Sequence, residues 1–427
     1  MHLTGARWGW ILIWLLLLPL GAAPQAGEWS VKAGLGYEYL NQEYFLDSLS
    51  SGADDTLAVA TALSTTYLDD LRGELALTYR PSGKRTYELR SSYEQTPHQL
   101  RLKFAGDFHP KVGSGRIDGT AELDWRHSLD DSVAAGDEYL YGYTRAKYVL
   151  PIREHVSLFW QLRGEFVDFD STGSYAFDHY RAGGSFGLHR QFGGLSSLDV
   201  SGFVMGRDVP DSIRLSYLSY GLESSLFSFY DRGDLDALLR FEVRDYNSIG
   251  NEDDYVRLEL TARHRLDLGY PWFTRQETEI EGNWFDEPDD LSGDYGRYRL
   301  AVLGGVDNQV VSFALGPQFE LLWQKGDAAF AEDYIELGLE GQLDIMKASL
   351  MFASVESDLG KRNVKDEGEE DALRSDFVFE RLNILADLTI LPRLSLNALI
   401  SAEWEWHDQE DENSRLILVS TGLSYTF

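Results

Sequence analysis

The side chains that could do chemistry in this sequence are charged residues that recur at every second position of short segments. Acids and bases together would form polar faces that border water, bind ions or pair with each other. The residues predicted to line these faces are Arg240, Glu242, Arg244, Arg257, Glu259, Arg263, Arg265, Asp267, Arg275, Glu277 and Glu279. They could set the ion preference of an aqueous path or form a salt-bridged wall, and the two interpretations are compatible. The mixed signs predict no preference of the wall for anions.

The positions between these charges are apolar, which identifies the segments as β-strands. From Val256 to Leu268, one face carries Val256, Leu258, Leu260, Ala262, His264, Leu266 and Leu268. The same alternation returns from Leu235 to Arg244, from Val156 to Phe166 and from Ile335 to Ile345. At helical spacing the charges would be scattered around the axis, whereas at strand spacing they collect on one side. Repeated segments of about ten such residues are typical of transmembrane strands.

Short and long connections alternate between these strands. The candidate tight turns are Ile152 to Glu154, Gly193-Gly194, Asp231 to Gly233, Gly269 to Pro271, Asp307-Asn308, Ile345 to Lys347 and Leu391 to Arg393. Longer polar segments, such as Gly360 to Asp376, lie between them. This arrangement puts every tight turn on the same side of the sheet as Phe427. Short turns on one side and long loops on the other are characteristic of outer-membrane barrels.

The strand count is ambiguous only near the N-terminus. Six candidate segments there make the total odd: Trp29 to Leu40, Thr56 to Leu68, Leu71 to Arg80, Arg85 to Glu94, Gln99 to Phe108 and Arg116 to His127. Bacterial single-chain barrels have even numbers of strands, so one of the six is not a separate membrane strand. We predict an all-β, transmembrane, antiparallel up-and-down β-barrel of about 20 strands, with 18 to 22 as the range.

The N-terminus has the pattern of a signal peptide. Arg7 precedes an apolar run from Trp8 to Leu20, and Gly21, Ala22 and Ala23 follow. The run is too short for a spanning helix, and a small residue near its end suits cleavage. Cleavage after Ala23 or after Ala26 is compatible with the pattern, and we favour Ala26. The predicted domains are a signal peptide over residues 1–26 and a barrel over residues 27–427, without a segment of plug-domain length.

Composition excludes several classes of function. The chain has no cysteine, which excludes disulfides and a CxxCH haem attachment, and no cofactor is predicted. A formal net charge of -32 argues against nucleic acid as a partner. No histidine lies in a Gly-x-Ser-x-Gly or His-Glu-x-x-His context, so we predict no catalytic residue and no enzyme. Acidic segments such as Asp286 to Asp294 lack EF-hand spacing, and we interpret them as solvated loops that favour cations rather than as metal sites.

Tryptophans cluster near the predicted strand ends. They are Trp29, Trp125, Trp160, Trp272, Trp284, Trp323, Trp404 and Trp406. Such aromatic residues form girdles at the two membrane interfaces. A sugar-stacking track is the alternative for any of them that point inward.

The last strand carries a resemblance to a known class of proteins. Phe427, Tyr425 and Leu423 share one face, and Val419 and Ile417 continue it. A terminal Phe preceded by alternating aromatic and apolar residues resembles the β-signal by which the outer-membrane assembly machinery recognises porin-type barrels. The resemblance implies that Leu423, Tyr425 and Phe427 act as an assembly signal, and that this machinery and outer-membrane lipid are partners. Together with the signal peptide, it places the chain in the outer membrane of a Gram-negative cell.

Three functions fit such a barrel. The first is a porin-like channel for small solutes or ions, because the inward faces are polar and a plug is missing. The second is a sheath that resembles the barrel of porin-cytochrome conduits, with a periplasmic or surface multi-haem cytochrome as the partner. The third is an export pore or an adhesin with acidic surface loops. We favour the channel.

Overall fold

Alternating polar and apolar residues form β-strands throughout the computed structural model of the chain. The structure describes residues 27–51, 57–81, 87–96, 99–129, 138–170, 177–210, 212–247, 254–286, 294–325, 333–348, 350–365, 376–408 and 413–427. The predicted signal peptide, residues 1–26, lies outside them. None of the helices in this part of the chain is long and apolar enough to cross a membrane.

The described strands follow one another with a single 3-10 turn, Ile213–Leu215, among them. They are β1 (Gly27–Ser51), β2 (Leu57–Pro81), β3 (Tyr87–Gln95), β4 (Gln99–Phe108), β5 (Lys111–Val112), β6 (Gly115–Ser128), β7 (Tyr139–Arg153), β8 (Val156–Phe169), β9 (His179–Phe192), β10 (Ser196–Asp208), β11 (Tyr217–Tyr230), β12 (Gly233–Tyr246), β13 (Tyr255–Gly269), β14 (Trp272–Phe285), β15 (Asp294–Asp307), β16 (Val311–Lys325), β17 (Tyr334–Lys347), β18 (Met351–Val364), β19 (Phe377–Leu391), β20 (Leu394–His407) and β21 (Ser414–Thr426).

The strands pair antiparallel in chain order, and the last one pairs with the first. β1 pairs with β2 along its whole length and with β21 from Lys32, opposite Thr426, to Glu43, opposite Arg415. The two-residue β5 continues β4 along β6 beyond Pro110, which has no backbone N–H to donate. The wall therefore has twenty strands and closes on itself, which confirms the predicted fold class and number of strands.

The stagger of the strands determines the size of the barrel. Directly opposed residues can be followed from strand to strand once around the barrel. The path returns to its first strand about 24 residues away from the residue at which it began. For about twenty strands this stagger corresponds to a tilt of roughly 40° and a backbone diameter of roughly 40 Å.

The N-terminal ambiguity has a simple origin. The sequence suggested two strands, Thr56 to Leu68 and Leu71 to Arg80; the described residues of both segments belong to the single strand β2. Its partner β1 is equally long, and the two pair from Gly27 opposite Pro81 to Ser51 opposite Leu57. The residues Asp69 and Asp70 have the composition of a turn, but they lie within this hairpin opposite Tyr39 and Glu38. Continuous pairing with β1 therefore overrides their turn preference.

At the end of the barrel with the long connections, which we call the loop end, short polar side chains join neighbouring hairpins. The Asp294 carboxylate accepts a hydrogen bond from the Phe285 N–H at 2.8 Å, and Asp376 accepts one from Val364 at 2.9 Å. The backbone carbonyl of Asp376 also accepts from the Asp408 N–H at 2.9 Å. Further residues with the same side-chain role are Glu138, Asp178, Asp254, Asp333 and Asn413. Each such residue immediately precedes or begins a descending strand, which is a strand that runs from the loop end toward the opposite end of the barrel.

The opposite end, the turn end, has the tight turns. The predicted turns at Gly193-Gly194, Asp231 to Gly233, Gly269 to Pro271 and Leu391 to Arg393 occur there, on the same side as Phe427. Gly193 and Gly194 have φ angles of 55° and 78°, a conformation that favours glycine. The prediction of a turn at Ile345 to Lys347 was wrong by a few residues, because β17 continues to Lys347, whose carbonyl accepts a hydrogen bond from the Leu350 N–H at 3.0 Å.

The apolar positions point away from the barrel and form its lipid-facing belt. Large side chains such as Leu162, Leu222 and Leu337 are more than half exposed. On the other face, aromatic rings lie over glycines: a Cβ added at Gly187 would lie 2.4 Å from the Phe159 ring, and one at Gly305 would lie 2.7 Å from the Phe273 ring. These glycines give large rings room to lie flat against the wall.

The loop-end hydrogen bonds predict a measurable contribution to stability. Asp294→Ala removes the acceptor of the Phe285 N–H and should lower the free energy of unfolding by about 1 kcal/mol, measured by denaturant titration in detergent micelles. Asp294→Asn keeps an oxygen acceptor and should retain most of the stability, as Asn413 fills the equivalent position. Equal losses in the two variants would show that charge, and not this hydrogen bond, is the contribution.

Candidate functional site

The charged face of the sheet is its concave face. Arg275 on β14 reaches Glu340 on β17, with 3.6 Å between the Nη2 and Oε1 atoms, although two strands lie between them. Arg265 on β13 likewise reaches Asp307 on β15 at 3.0 Å. Contacts across intervening strands bring side chains together only where the wall curves toward them. The charged residues therefore line the lumen, and the apolar residues face lipid.

All eleven residues proposed from the sequence lie on this concave face. The register places Arg240 opposite Glu259, Arg257 opposite Glu242, and Arg263 opposite Asp236 and Glu277. Most of them form ion pairs: Arg240 and Arg244 with Glu242, Arg257 with Glu259, Arg265 with Asp267, Arg275 with Glu277, and Glu279 with Arg297 and Arg299. Arg263 forms no ion pair with any residue that the structure describes. The salt-bridged wall and the lumen lining are thus the same set of side chains.

Glu242 is the most enclosed of the eleven. It is 2% exposed and lies between Arg240 and Arg244, at 2.6 Å and 2.7 Å. The Arg244 guanidinium lies 4.3 Å from the centre of the Tyr217 ring and 4.9 Å from that of Tyr255. Two cations fix the position of this carboxylate within the wall, and two rings hold one of those cations in place.

A similar arrangement recurs along the wall at intervals of two strands. Glu281 accepts hydrogen bonds from Arg257 at 2.8 Å and from the Tyr295 hydroxyl at 2.6 Å. Two strands further, Glu320 accepts a bidentate pair from Arg297, both bonds at 2.9 Å, and one from the Tyr334 hydroxyl. Each unit joins three neighbouring strands by an arginine, a glutamate and a tyrosine.

The next unit keeps the arginine and the glutamate. Arg362 donates to Glu336 at 2.7 Å and lies 3.9 Å from the centre of the Tyr334 ring. Phe377 occupies the position of the tyrosine in the preceding units and has no hydroxyl. The centre of its ring lies 5.2 Å from the same guanidinium.

Several members of this wall were missed by the sequence analysis. They are Arg297, Arg299, Glu320, Glu336, Glu340, Arg362 and Arg381. Their two-residue spacing was available as a signal. Their partners were not, because these depend on the register between strands that are distant in sequence. A further signal was the acid followed by an aromatic residue at Asp254-Tyr255, Asp294-Tyr295, Asp333-Tyr334 and Asp376-Phe377, which marks the first lumen-facing ring of a descending strand.

The eight tryptophans lie on the lipid face. Their register positions alternate with those of the charged lumen residues, as Trp404 and Trp406 alternate with Glu403 and Glu405. The sugar-stacking alternative for inward tryptophans is therefore wrong for these eight residues. Their positions are those of interfacial girdle residues.

The residues of the predicted assembly signal lie together on the lipid face of β21. Leu423, Tyr425 and Phe427 are 42%, 38% and 66% exposed, and the rings of Tyr425 and Phe427 meet edge to face at 4.8 Å. The Phe427 N–H donates to the Val31 carbonyl at 2.9 Å, so the terminus belongs to the closing seam. The recognition of these residues by an assembly machinery stays a prediction.

A closed antiparallel barrel with a charged lumen and an apolar outer belt defines an integral outer-membrane protein of the porin-like class. No protein-family model and no curated protein match the chain.

Solved structures of outer-membrane proteins are similar to the chain in fold. The siderophore receptor PirA from Pseudomonas aeruginosa has 10% identity and a TM-score of 0.49, over 93% of this chain and 80% of the receptor chain. The outer membrane protein opdK from Pseudomonas aeruginosa has 12% identity and a TM-score of 0.48, over 94% and 99%. OccAB3 from Acinetobacter baumannii has 13% identity and a TM-score of 0.48, over 94% and 100%.

The repeated units predict that Glu320 stabilises the barrel. Glu320→Gln leaves Arg297 without its carboxylate and should lower the free energy of unfolding by about 2 kcal/mol, measured in detergent micelles. The matched control is Glu259→Gln on the same face, whose side chain is 32% exposed against 8% for Glu320. The control should cost under about 1 kcal/mol, because water screens its ion pair. Equal effects would contradict the structural role of the units.

Proposed function

We propose that the chain is a porin-like channel that passes small solutes or ions across the outer membrane. The observation that carries the proposal is the concave face, which has charged side chains on successive strands from β12 to β19. Charged groups that remain partly exposed require water, so this face borders an aqueous space.

The width of the wall supports the same conclusion. Barrels of 16 to 18 strands already leave an aqueous channel, and this barrel has more strands. The backbone diameter is roughly 40 Å, and inward side chains occupy part of this width. A lumen roughly 25 Å wide remains between opposite walls. Within the described residues the chain forms no domain besides the barrel wall.

Outer-membrane lipid and the barrel assembly machinery are the proposed partners of the channel. The exposed apolar belt supports the first, and the ring pair of Tyr425 and Phe427 at the seam supports the second. We propose no enzymatic activity, since most of the charged lumen residues serve as each other's ion-pair partners.

Single-channel recording in a planar bilayer tests the proposal. The purified protein should give large, steady openings in KCl. With a salt gradient, the reversal potential should favour cations modestly, because the chain has a formal net charge of -32. A bilayer that stays silent after insertion has been verified would contradict an open channel and would favour a lumen filled by a partner, as in a cytochrome sheath.

A further inference from the structure

The lumen wall is neutralised unevenly. From β12 to β19, nearly every arginine has a glutamate or aspartate within ion-pair distance. On β7, β8 and β10, by contrast, Arg145, Arg163 and Arg207 form no ion pair with any residue in the described ranges. Arg263 shares this lack of a partner, but it lies opposite Asp236 and Glu277. Together with Arg181 on β9, which lies opposite Arg207, these three arginines form a patch of positive charge in the wall.

Register makes this patch unfavourable for the protein alone. Arg145 lies directly opposite Arg163, and Arg181 lies directly opposite Arg207. Directly opposed residues on one face of an antiparallel pair have Cβ atoms about 5 Å apart, and like charges there destabilise the sheet. Two such pairs on four consecutive strands reduce the stability of the barrel. Among the four arginines, Arg181 has compensating contacts within the described wall: Glu165 lies 3.8 Å away, and the Tyr217 hydroxyl accepts a hydrogen bond at 2.8 Å.

The nearby acids are engaged elsewhere or are too few. Glu165 lies 3.8 Å from Arg181 and 3.6 Å from His179, and Glu122 pairs with Lys103 at 2.6 Å. Neither acid therefore neutralises Arg145 or Arg163, and Arg207 has no acid within ion-pair distance among the described residues.

A recess continues the patch toward the turn end. It has a volume of about 280 Å³, and Arg163, Lys147 and Arg240 lie at its edge together with two aromatic rings. The Lys147 ammonium lies 4.1 Å from the centre of the Phe159 ring, and the Arg240 guanidinium lies 5.3 Å from that of Phe203. The recess thus combines cationic donors with apolar surface, and Asp199 and Glu223 are its acids.

We propose that this patch, Arg145, Arg163, Arg181 and Arg207 with the recess beside Arg163, is an oxyanion-binding site in the lumen. Its ligand is a small solute that carries a carboxylate or a phosphate group. Guanidinium groups bind both oxyanions through paired hydrogen bonds, and the recess accepts the remainder of the solute. The site rests on the proposed channel function and gives it a substrate class. Acidic groups elsewhere in the chain do not oppose the site, because its charge acts over short distances in salt solution.

Binding of the anion is tested by block of single-channel current. Inorganic phosphate and benzoate are added separately to symmetric KCl with wild-type protein and with Arg145→Gln and Arg163→Gln variants. Each should reduce the wild-type current in a saturable way, and each variant should need about tenfold more anion. Arg263→Gln is the matched control, because it removes the same charge from the lumen without disturbing the patch. If benzoate blocks at a lower concentration than phosphate, the ligand is a carboxylate whose apolar part occupies the recess. If phosphate blocks at the lower concentration, the ligand carries a phosphate group.

A second measurement separates this proposal from the channel itself. In detergent, folded and heat-unfolded barrel migrate as two different bands on a denaturing gel. The temperature at which the folded band is lost should rise with phosphate or benzoate for wild type and for Arg263→Gln. Without anion, Arg163→Gln should convert at a higher temperature than wild type, because one opposed pair of like charges is removed. A conducting protein without block or thermal shift would overturn the anion site alone. A silent protein with an anion-dependent shift would overturn the channel and keep the site.

Discussion

Closure of the backbone hydrogen-bond ladder is the constraint on which the rest of this structure depends. In lipid, an unpaired strand edge would leave a row of N–H and C=O groups without partners, at a cost of several kcal/mol for each group. The pairing of β1 with β21 removes that edge, and the terminal Phe427 N–H donates to Val31 at the same seam. Backbone hydrogen bonds between adjacent strands extend this pairing to both ends of the barrel, through Asp376 and Asp408 at the loop end and Arg393 and Thr426 at the turn end.

Closure also separates the two faces of every strand. The convex face meets lipid and is apolar, whereas the concave face can hold charge only if its groups are paired or reach water. The units of arginine, glutamate and tyrosine from Arg257 to Tyr334 satisfy each other across strands and also stiffen the wall. The opposed arginines Arg145 and Arg163, and Arg181 and Arg207, depart from this pattern of paired charges, and the anion site that we propose rests on that exception.

The sequence determined the parts of this architecture that depend on local periodicity. Alternation predicted the strands and their inward and outward faces, because side chains of a strand alternate with a period of two. The short and long connections predicted the sides of the turns, and the even strand count came from the general preference of bacterial barrels. The prediction that divided β2 into two strands at Asp69 and Asp70 was wrong, because pairing with the long β1 outweighs the turn preference of these two acids. Which charges meet could not be predicted. Contacts such as Arg299 with Glu340, and the opposition of Arg145 and Arg163, follow from a register between strands that no local pattern records.

The central claim is that the charged concave face borders a water-filled lumen. Because the chain has no cysteine, single cysteines can be introduced without a background signal. The most direct measurement is the labelling of Glu259→Cys and Leu260→Cys by a charged, membrane-impermeant thiol reagent in protein reconstituted into lipid vesicles. The account predicts rapid labelling at position 259 and little at its lipid-facing neighbour. Equal labelling at the two positions, or preferential labelling at position 260, would contradict it.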